Sequence, residues 1–121
     1  MTLERIPGEF SVCRVPDLSG VPLGAPYCFL AVTDEERSVV CRTANAPPNA
    51  EAREDGWRAF RVKGTLDFSL VGILAAISAC LAAHRIGIFA VSTYNTDYIL
   101  TKAENYDRAL AALAAEGYTV L

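Results

Sequence analysis

Hydrophobic positions recur at two different periods along the chain, and the changes of period mark out its elements. Residues 9–15 alternate loosely and are β-rich until Pro16 and a turn-forming stretch to Pro26 stop them, which predicts a first strand. Residues 27–33 and 38–41 are apolar, partly β-branched runs joined by the charged turn Asp34-Glu35-Glu36-Arg37, a predicted hairpin. Residues 44–55 contain Pro47-Pro48 and lack an apolar anchor, so they read as a linker or exposed loop. The chain thereby divides into residues 1–50 and residues 51–121, with no long-range repeat evident between them.

The second stretch has the sharper pattern. Residues 57–63 alternate apolar with basic residues, apart from a slip at Ala59-Phe60, and stop at Gly64, as a strand with one wet face or edge does. From Ser69, Leu70, Ile73, Leu74, Ile77 and Leu81 fall at three- and four-residue spacing and predict a helix that covers a sheet. No charged residue occurs from Ser69 through Ala83, so the opposite, alanine-rich face is expected to meet another helix, another subunit or the N-terminal half. Residues 86–91 and 98–100 predict a second hairpin around the polar connection 92–97. Thr101 with Glu104 fits a capping box, followed by an apolar face at Tyr106, Ala109, Leu110 and Leu113 and a stop at Gly117; residues 118–121 add a short strand. The order from Trp57 onward is βαββαβ, so the expected class is α+β, ferredoxin-like, preceded by a mainly β half.

Composition narrows the functional classes. At 121 residues the chain suits one compact core or two small half-domains that share one. Its net charge is -3 and its basic residues are scattered singly, so no stripe is available for a nucleic-acid backbone. The apolar stretch over residues 71–83 is shorter than the ~20 residues a membrane span requires. Residues 1–7 carry neither a basic nor an apolar signal region, and the expected location is cytoplasmic.

Chemistry is sparse. Cys13, Cys28, Cys41 and Cys80 lie at irregular spacing within apolar runs and read as small buried hydrophobes rather than a disulfide framework or a metal site. The single histidine, His84, follows Cys80 by four residues, but two ligands from one helix are not a site; a helix C-terminus is the expected setting. A nucleophilic triad cannot be assembled around it. Asp34, Glu35, Glu36, Asp67 and Asp97 fall at predicted turns and read as solvated, so the expectation is a protein that is not an enzyme and uses no cofactor. Two segments have binding chemistry. The loop from Gly64 into the helix directs backbone N–H groups at an anion, with Asp67 or Ser69 the alternative as ordinary N-cap. The cluster Ser92-Thr93-Tyr94-Asn95-Thr96-Asp97 offers acceptors for an ammonium group, or is a stabilised turn.

These same residues carry a family resemblance. Trp57-Arg58-Ala59-Phe60, then Gly64-x-Leu66-Asp67-Phe68-Ser69-Leu70-x-Gly72-Ile73-Leu74, then Ile86-x-Ile88-Phe89-x-Val91-Ser92-Thr93-Tyr94-Asn95-Thr96-Asp97-Tyr98-Ile99-Leu100, resemble the ACT domain of the CASTOR type over residues 57–121. Phe10-Ser11-Val12-Cys13-Arg14 and Thr33-x-x-Glu36-x-Ser38-Val39-Val40-Cys41 resemble the reduced ACT-like leader of small bacterial members; Arg37 and Thr101 depart from the pattern at strand ends. The resemblance implies a non-catalytic protein that binds a small effector, usually an amino acid, at an interface between ACT units, as a homodimer or with a partner enzyme. The alternative it leaves is an interaction module with a vestigial site. Carried onto this chain, it implies that Thr65, Leu66, Asp67, Phe68 and Ser69 face the ligand carboxylate. Ser92, Thr93, Asn95, Thr96 and Asp97 then face its amino group or side chain, with Thr33, Glu36 and Ser38 as candidates from the first half.

Overall fold

The computed structural model describes residues 1–67 and 69–121. Two compact units emerge, one formed by residues 1–7 and 58–121, the other by residues 8–57. The boundaries fall inside two long strands, β1 (Thr2–Arg14) and β4 (Ala52–Val62).

The larger unit has the expected order of elements. After β4 come helix α1 (Ile73–Ala83), strands β5 (Ile88–Ser92) and β6 (Asp97–Lys102), helix α2 (Tyr106–Ala115) and β7 (Thr119–Val120). β5 and β6 pair antiparallel, with Ser92 opposite Asp97 and Ile88 opposite Thr101. β7 pairs parallel with Thr2 and Leu3, and Lys63 N–H donates to the Thr2 carbonyl at 2.9 Å. The first strand thus begins at Thr2 rather than at Glu9, and its opening residues complete the larger unit. Ile77 and Leu81 of α1, and Tyr106, Ala109, Leu110 and Leu113 of α2, form one buried core with Leu3, Phe60, Val62, Ile86 and Ile99, between the two helices and a sheet whose β5–β6 pairing is antiparallel and whose β1–β7 pairing is parallel. Tyr106 anchors it: its hydroxyl donates to the Ala59 carbonyl at 2.6 Å, and the Arg58 guanidinium lies 4.2 Å from its ring centroid.

Both helices start later than the sequence pattern predicts, for different reasons. Ser69 and Leu70 precede α1, because Asp67 accepts the Ser69 N–H at 2.8 Å and Leu70 N–H donates to the Asp67 carbonyl at 3.0 Å, closing a turn of their own. Helix α1 is capped by Gly72 in the left-handed region, φ 81°, and neither Asp67 nor Ser69 is its N-cap. Thr101 is buried inside β6 and donates to the Lys102 carbonyl, so no capping box forms; a 3₁₀ turn, Ala103–Asn105, leads into α2 instead. Both helices end alike. Ile86 N–H bonds the Leu81 carbonyl and Arg85 N–H that of Ala82, while Tyr118 bonds Leu113 and Gly117 bonds Ala114: two Schellman motifs. The left-handed residue is Arg85 in one, φ 58°, and Gly117 in the other, φ 104°.

The smaller unit holds β2 (Phe29–Val32) and β3 (Arg37–Arg42), antiparallel to each other, with β3 antiparallel to the later residues of β1. Residues 52–55, expected in a linker, are strand; Glu51 N–H donates to the Arg14 carbonyl and Asp55 accepts the buried Ser11 hydroxyl at 2.5 Å. Its core is Cys13, Val15, Val21, Val39 and Cys41, with Cys28, Leu30, Ala46 and Ala50 packed against it.

A repeat that the sequence hides is plain in the backbone. β2, the tight turn at 33–36, β3 and the 3₁₀ turn Thr43–Asn45 recur sixty positions later as β5, the turn at 93–96, β6 and Ala103–Asn105. Thr33 N–H donates to the Glu36 carbonyl at 2.9 Å, and Thr93 N–H to that of Thr96 at the same distance. Only Phe29, Thr33 and Asn45 are identical to their counterparts Phe89, Thr93 and Asn105.

Candidate functional site

A cavity of about 310 Å³ opens in the larger unit where the loop after β4, the first turn of α1 and the β5–β6 turn come together. Of the sequence-derived candidates, Leu66, Asp67, Ser92, Thr93, Asn95, Thr96 and Asp97 line it. The walls are tied directly: Leu66 N–H donates to the Asn95 carbonyl at 2.7 Å, and the buried Thr96 hydroxyl donates to the Val62 carbonyl at 2.7 Å. Thr93 closes the turn through both its N–H and its hydroxyl onto the Thr96 carbonyl. These bonds fix the cavity before any ligand arrives.

The other candidates lie elsewhere. Thr65 does not line the cavity but borders an adjoining polar concavity, which shares Asn95 and Thr96 with it and adds Glu4, Arg61 and Lys63. Ser69 is exposed and engaged with Asp67, and Phe68 lies outside the described residues. Thr33, Glu36 and Ser38 belong to the smaller unit; Thr33 closes the β2–β3 turn, and the Ser38 hydroxyl donates to the Glu36 carboxylate.

Sequence reasoning missed Leu70, Gly72, Ile73, Leu74, Ala75 and Tyr94, all of which line the cavity. Leu70, Ile73 and Leu74 fit the helical stripe equally well, so periodicity assigned them to the core. The available signal was Gly72, a residue disfavoured within a helix and at home at a special backbone turn.

The cavity has two kinds of polar end. The first α-helical bond of α1 runs from Ala76 N–H to the Gly72 carbonyl, so the N–H groups of Ile73, Leu74 and Ala75 precede the intrahelical ladder and attract an anion. Asp97 supplies the opposite charge, its carboxylate oriented by the Ser92 hydroxyl at 2.6 Å. Asp67 is committed to its own loop: the Ser69 N–H, then its hydroxyl, hold the Asp67 carboxyl below its ordinary range. Among the described lining residues there are two carboxylates and no Lys, Arg or His, with Leu66, Leu70, Ile73, Leu74 and Tyr94 making the remainder largely apolar. No group of three or more His, Cys, Asp or Glu that could hold a metal occurs among the described residues.

His84 sits at the C-cap of α1, its Nδ1 2.9 Å from the Cys80 carbonyl, which fixes that nitrogen as a donor rather than a partner of the thiol. No helix among the described residues is long and apolar enough to cross a membrane.

Residues 52–115 match a family model described as the ACT domain. The fold is similar to the crystal structure of an Agobacterium tumefaciens protein, at TM-score 0.87 and 26% identity, covering 99% of this chain and 91% of that one. A Vibrio cholerae protein of unknown function, described as a possible transport protein, follows at TM-score 0.78 and 22% identity, covering 93% and 86%. The ligand-free regulatory subunit of aspartate kinase from Thermus thermophilus aligns at TM-score 0.65 and 12% identity, covering 95% and 96%. No curated protein matches the sequence.

Proposed function

Because the chain belongs to the ACT domain family, whose model spans more than half of it, we propose that it is a regulatory protein that binds a free amino acid in the cavity at the start of α1. ACT domains are small-molecule regulatory modules, and the Thermus thermophilus relative is a regulatory subunit rather than a catalytic one. The observation that carries the reading is the pairing, in one cavity, of helix N–H donors with the Asp97 carboxylate. A zwitterion has both complements: its carboxylate suits the N–H groups and its ammonium group suits Asp97. An acidic side chain would add negative charge to a cavity that already holds two carboxylates, so neutral or cationic amino acids are favoured.

Within the family we place the chain among the CASTOR-type members, on the run Ser92-Thr93-Tyr94-Asn95-Thr96-Asp97 and its partner loop at 64–70. The smaller unit, with its repeated strand–turn–strand–3₁₀ pattern, is read as the reduced ACT-like half and Thr33, Glu36 and Ser38 as its contribution to effector binding. The working form is a cytoplasmic homodimer that acts on a partner enzyme. In the alternative reading the same chain is an interaction module whose cavity is vestigial.

A thermal-shift screen of the twenty amino acids, on protein refolded to remove any co-purified ligand, separates the two. At a hundredfold excess over Kd a ligand specific for the folded state adds about 2.7 kcal/mol, a rise of roughly 10 °C for a chain of this size. If no amino acid raises the melting temperature, the interaction-module reading replaces the regulatory one.

A further inference from the structure

Three of the four cysteines, Cys13, Cys28 and Cys41, share the core of the smaller unit, and none has a part in the effector cavity. Their placement is set by strand register. β2 and β3 pair with Phe29 opposite Val40 and Leu30 opposite Val39; Cys28 stands one residue before β2, and the register carried one position further sets it opposite Cys41, against whose core cluster it packs. The repeat supports this step independently: sixty positions later, the counterparts Ile88 and Thr101 are a paired position of β5 and β6.

The bonding phase of the hairpin identifies what kind of pair this is. Thr33 and Glu36 close the turn through the Thr33 N–H, and bonded and non-bonded pairs alternate from there. Ala31–Ser38 and Phe29–Val40 are then bonded pairs and Leu30–Val39 a non-bonded one, and the same alternation, extended one position past the end of β2, makes Cys28–Cys41 non-bonded. At non-bonded positions the Cα atoms stand about 4.5 Å apart with the side chains close, within the span a disulfide bridges. Cys13 is different. It lies opposite Val39 on β1, while Cys41 lies opposite Ser11, so Cys13 and Cys41 are diagonal neighbours, at a Cα separation of about 7–8 Å that a disulfide does not span.

We propose that Cys28 and Cys41 form a redox pair, closing a reversible cross-strand disulfide at the open end of the β2–β3 hairpin when a small-molecule disulfide is in excess. Cys28 is half-buried and reachable, whereas Cys41 is 1% exposed. Cys28 as thiolate attacks one sulfur of the small disulfide and expels the other as a thiolate, which takes up a proton. Cys41 then gives up its proton and attacks the Cys28 sulfur of the mixed disulfide, expelling the second small thiol. The two cysteines lose two electrons and two protons in total, and the small disulfide is reduced to two thiols. Burial first, then Cys13 and Cys28 beside it, pushes the Cys41 thiol up to about 11, so little of its thiolate is present and closure of the bridge is slow.

The test is to expose the full-length folded protein to excess oxidised glutathione, block free thiols, and map disulfides by peptide mass spectrometry. The expected product is a chain lighter by two hydrogens and not cross-linked to another, with Cys28 linked to Cys41, two thiols still free, and a melting temperature raised by roughly 5–10 °C that dithiothreitol reverses. Cys13→Ala and Cys80→Ala keep the bridge. Cys28→Ser, at the more tolerant position, abolishes it and leaves glutathione on no buried residue. A link from Cys41 to Cys13, a stable glutathione adduct on Cys28 with no bridge, or four free thiols in folded protein each overturn the proposal.

Discussion

Asp67 and Asp97 line the same cavity with different commitments. Asp67 holds its own loop through Ser69, while Asp97 accepts one bond from Ser92 and keeps further acceptor capacity. Asp97 was legible in the sequence as the last member of a polar cluster between apolar runs, whereas Gly72 stood out only as a residue disfavoured within a helix, with no purpose disclosed. The structure supplies one: Gly72 sits at φ 81°, and a Cβ added there meets nothing within 4 Å. Gly72→Ala is therefore expected to lose about 1–2 kcal/mol from backbone strain alone, with no steric clash. Chemical denaturation measures it; an unchanged midpoint contradicts the assignment.

A second residue-scale expectation concerns acid. Asp55 is held below its ordinary value of 3.8 by Arg53 first and the Ser11 hydroxyl second. A carboxyl depressed in the folded state stabilises above its unfolded pKa, and that contribution is lost as the pH falls through the folded value. Melting temperature should thus fall below about pH 4, with a shallower fall in Asp55→Asn. Identical acid limbs for the two proteins would show that Asp55 contributes nothing.

At the scale of elements, the sequence disclosed the order of strands and helices in the larger unit but misplaced their ends, and each error has a local cause. Asp67 offered a turn bond that competes with helix initiation. Thr101 and Glu104 satisfied the capping pattern, yet Thr101 is claimed by pairing with Ile88 across β5–β6, and tertiary pairing outweighs a single cap. Residues 52–55 lack apolar anchors because this part of β4 is exposed, so a strand read as a loop. Helix ends offer a direct check. The two Schellman motifs differ in that Arg85 occupies the left-handed position that Gly117 fills in the other. Arg85→Gly should relieve that strain and stabilise the protein by about 1 kcal/mol; destabilisation would mean that the Arg85 side chain is engaged in a way the backbone argument omits.

For the whole molecule, the family and its fold were legible in the runs at 57–74 and 86–100, whereas the internal repeat was not. Its register is carried by turn geometry and strand pairing, and only three positions retain identity. Half of the candidate site was legible for the same reason: polar residues at a turn declare themselves, while the apolar lining at Leu70, Ile73 and Leu74 is indistinguishable from core. The charge-free face of α1 remains a whole-molecule matter. Ala75, Ala76, Ala79, Ala82 and Ala83 are exposed in the single chain, and the proposed homodimer would cover them. Sedimentation should then show a dimer that Ala79→Glu converts to a folded monomer; two equally monomeric proteins would remove the dimer from the account.

The central claim is that one cavity reads both charges of a free amino acid, and a calorimetric titration of the wild type and Asp97→Asn with the most stabilising amino acid addresses it most directly. The substitution keeps the shape and removes the charge that meets the ammonium group. A charge-assisted bond contributes about 1.5–3 kcal/mol, so Kd should weaken by about tenfold or more while the fold is unchanged. Equal affinities for the two proteins, or no heat of binding from any amino acid, would contradict it.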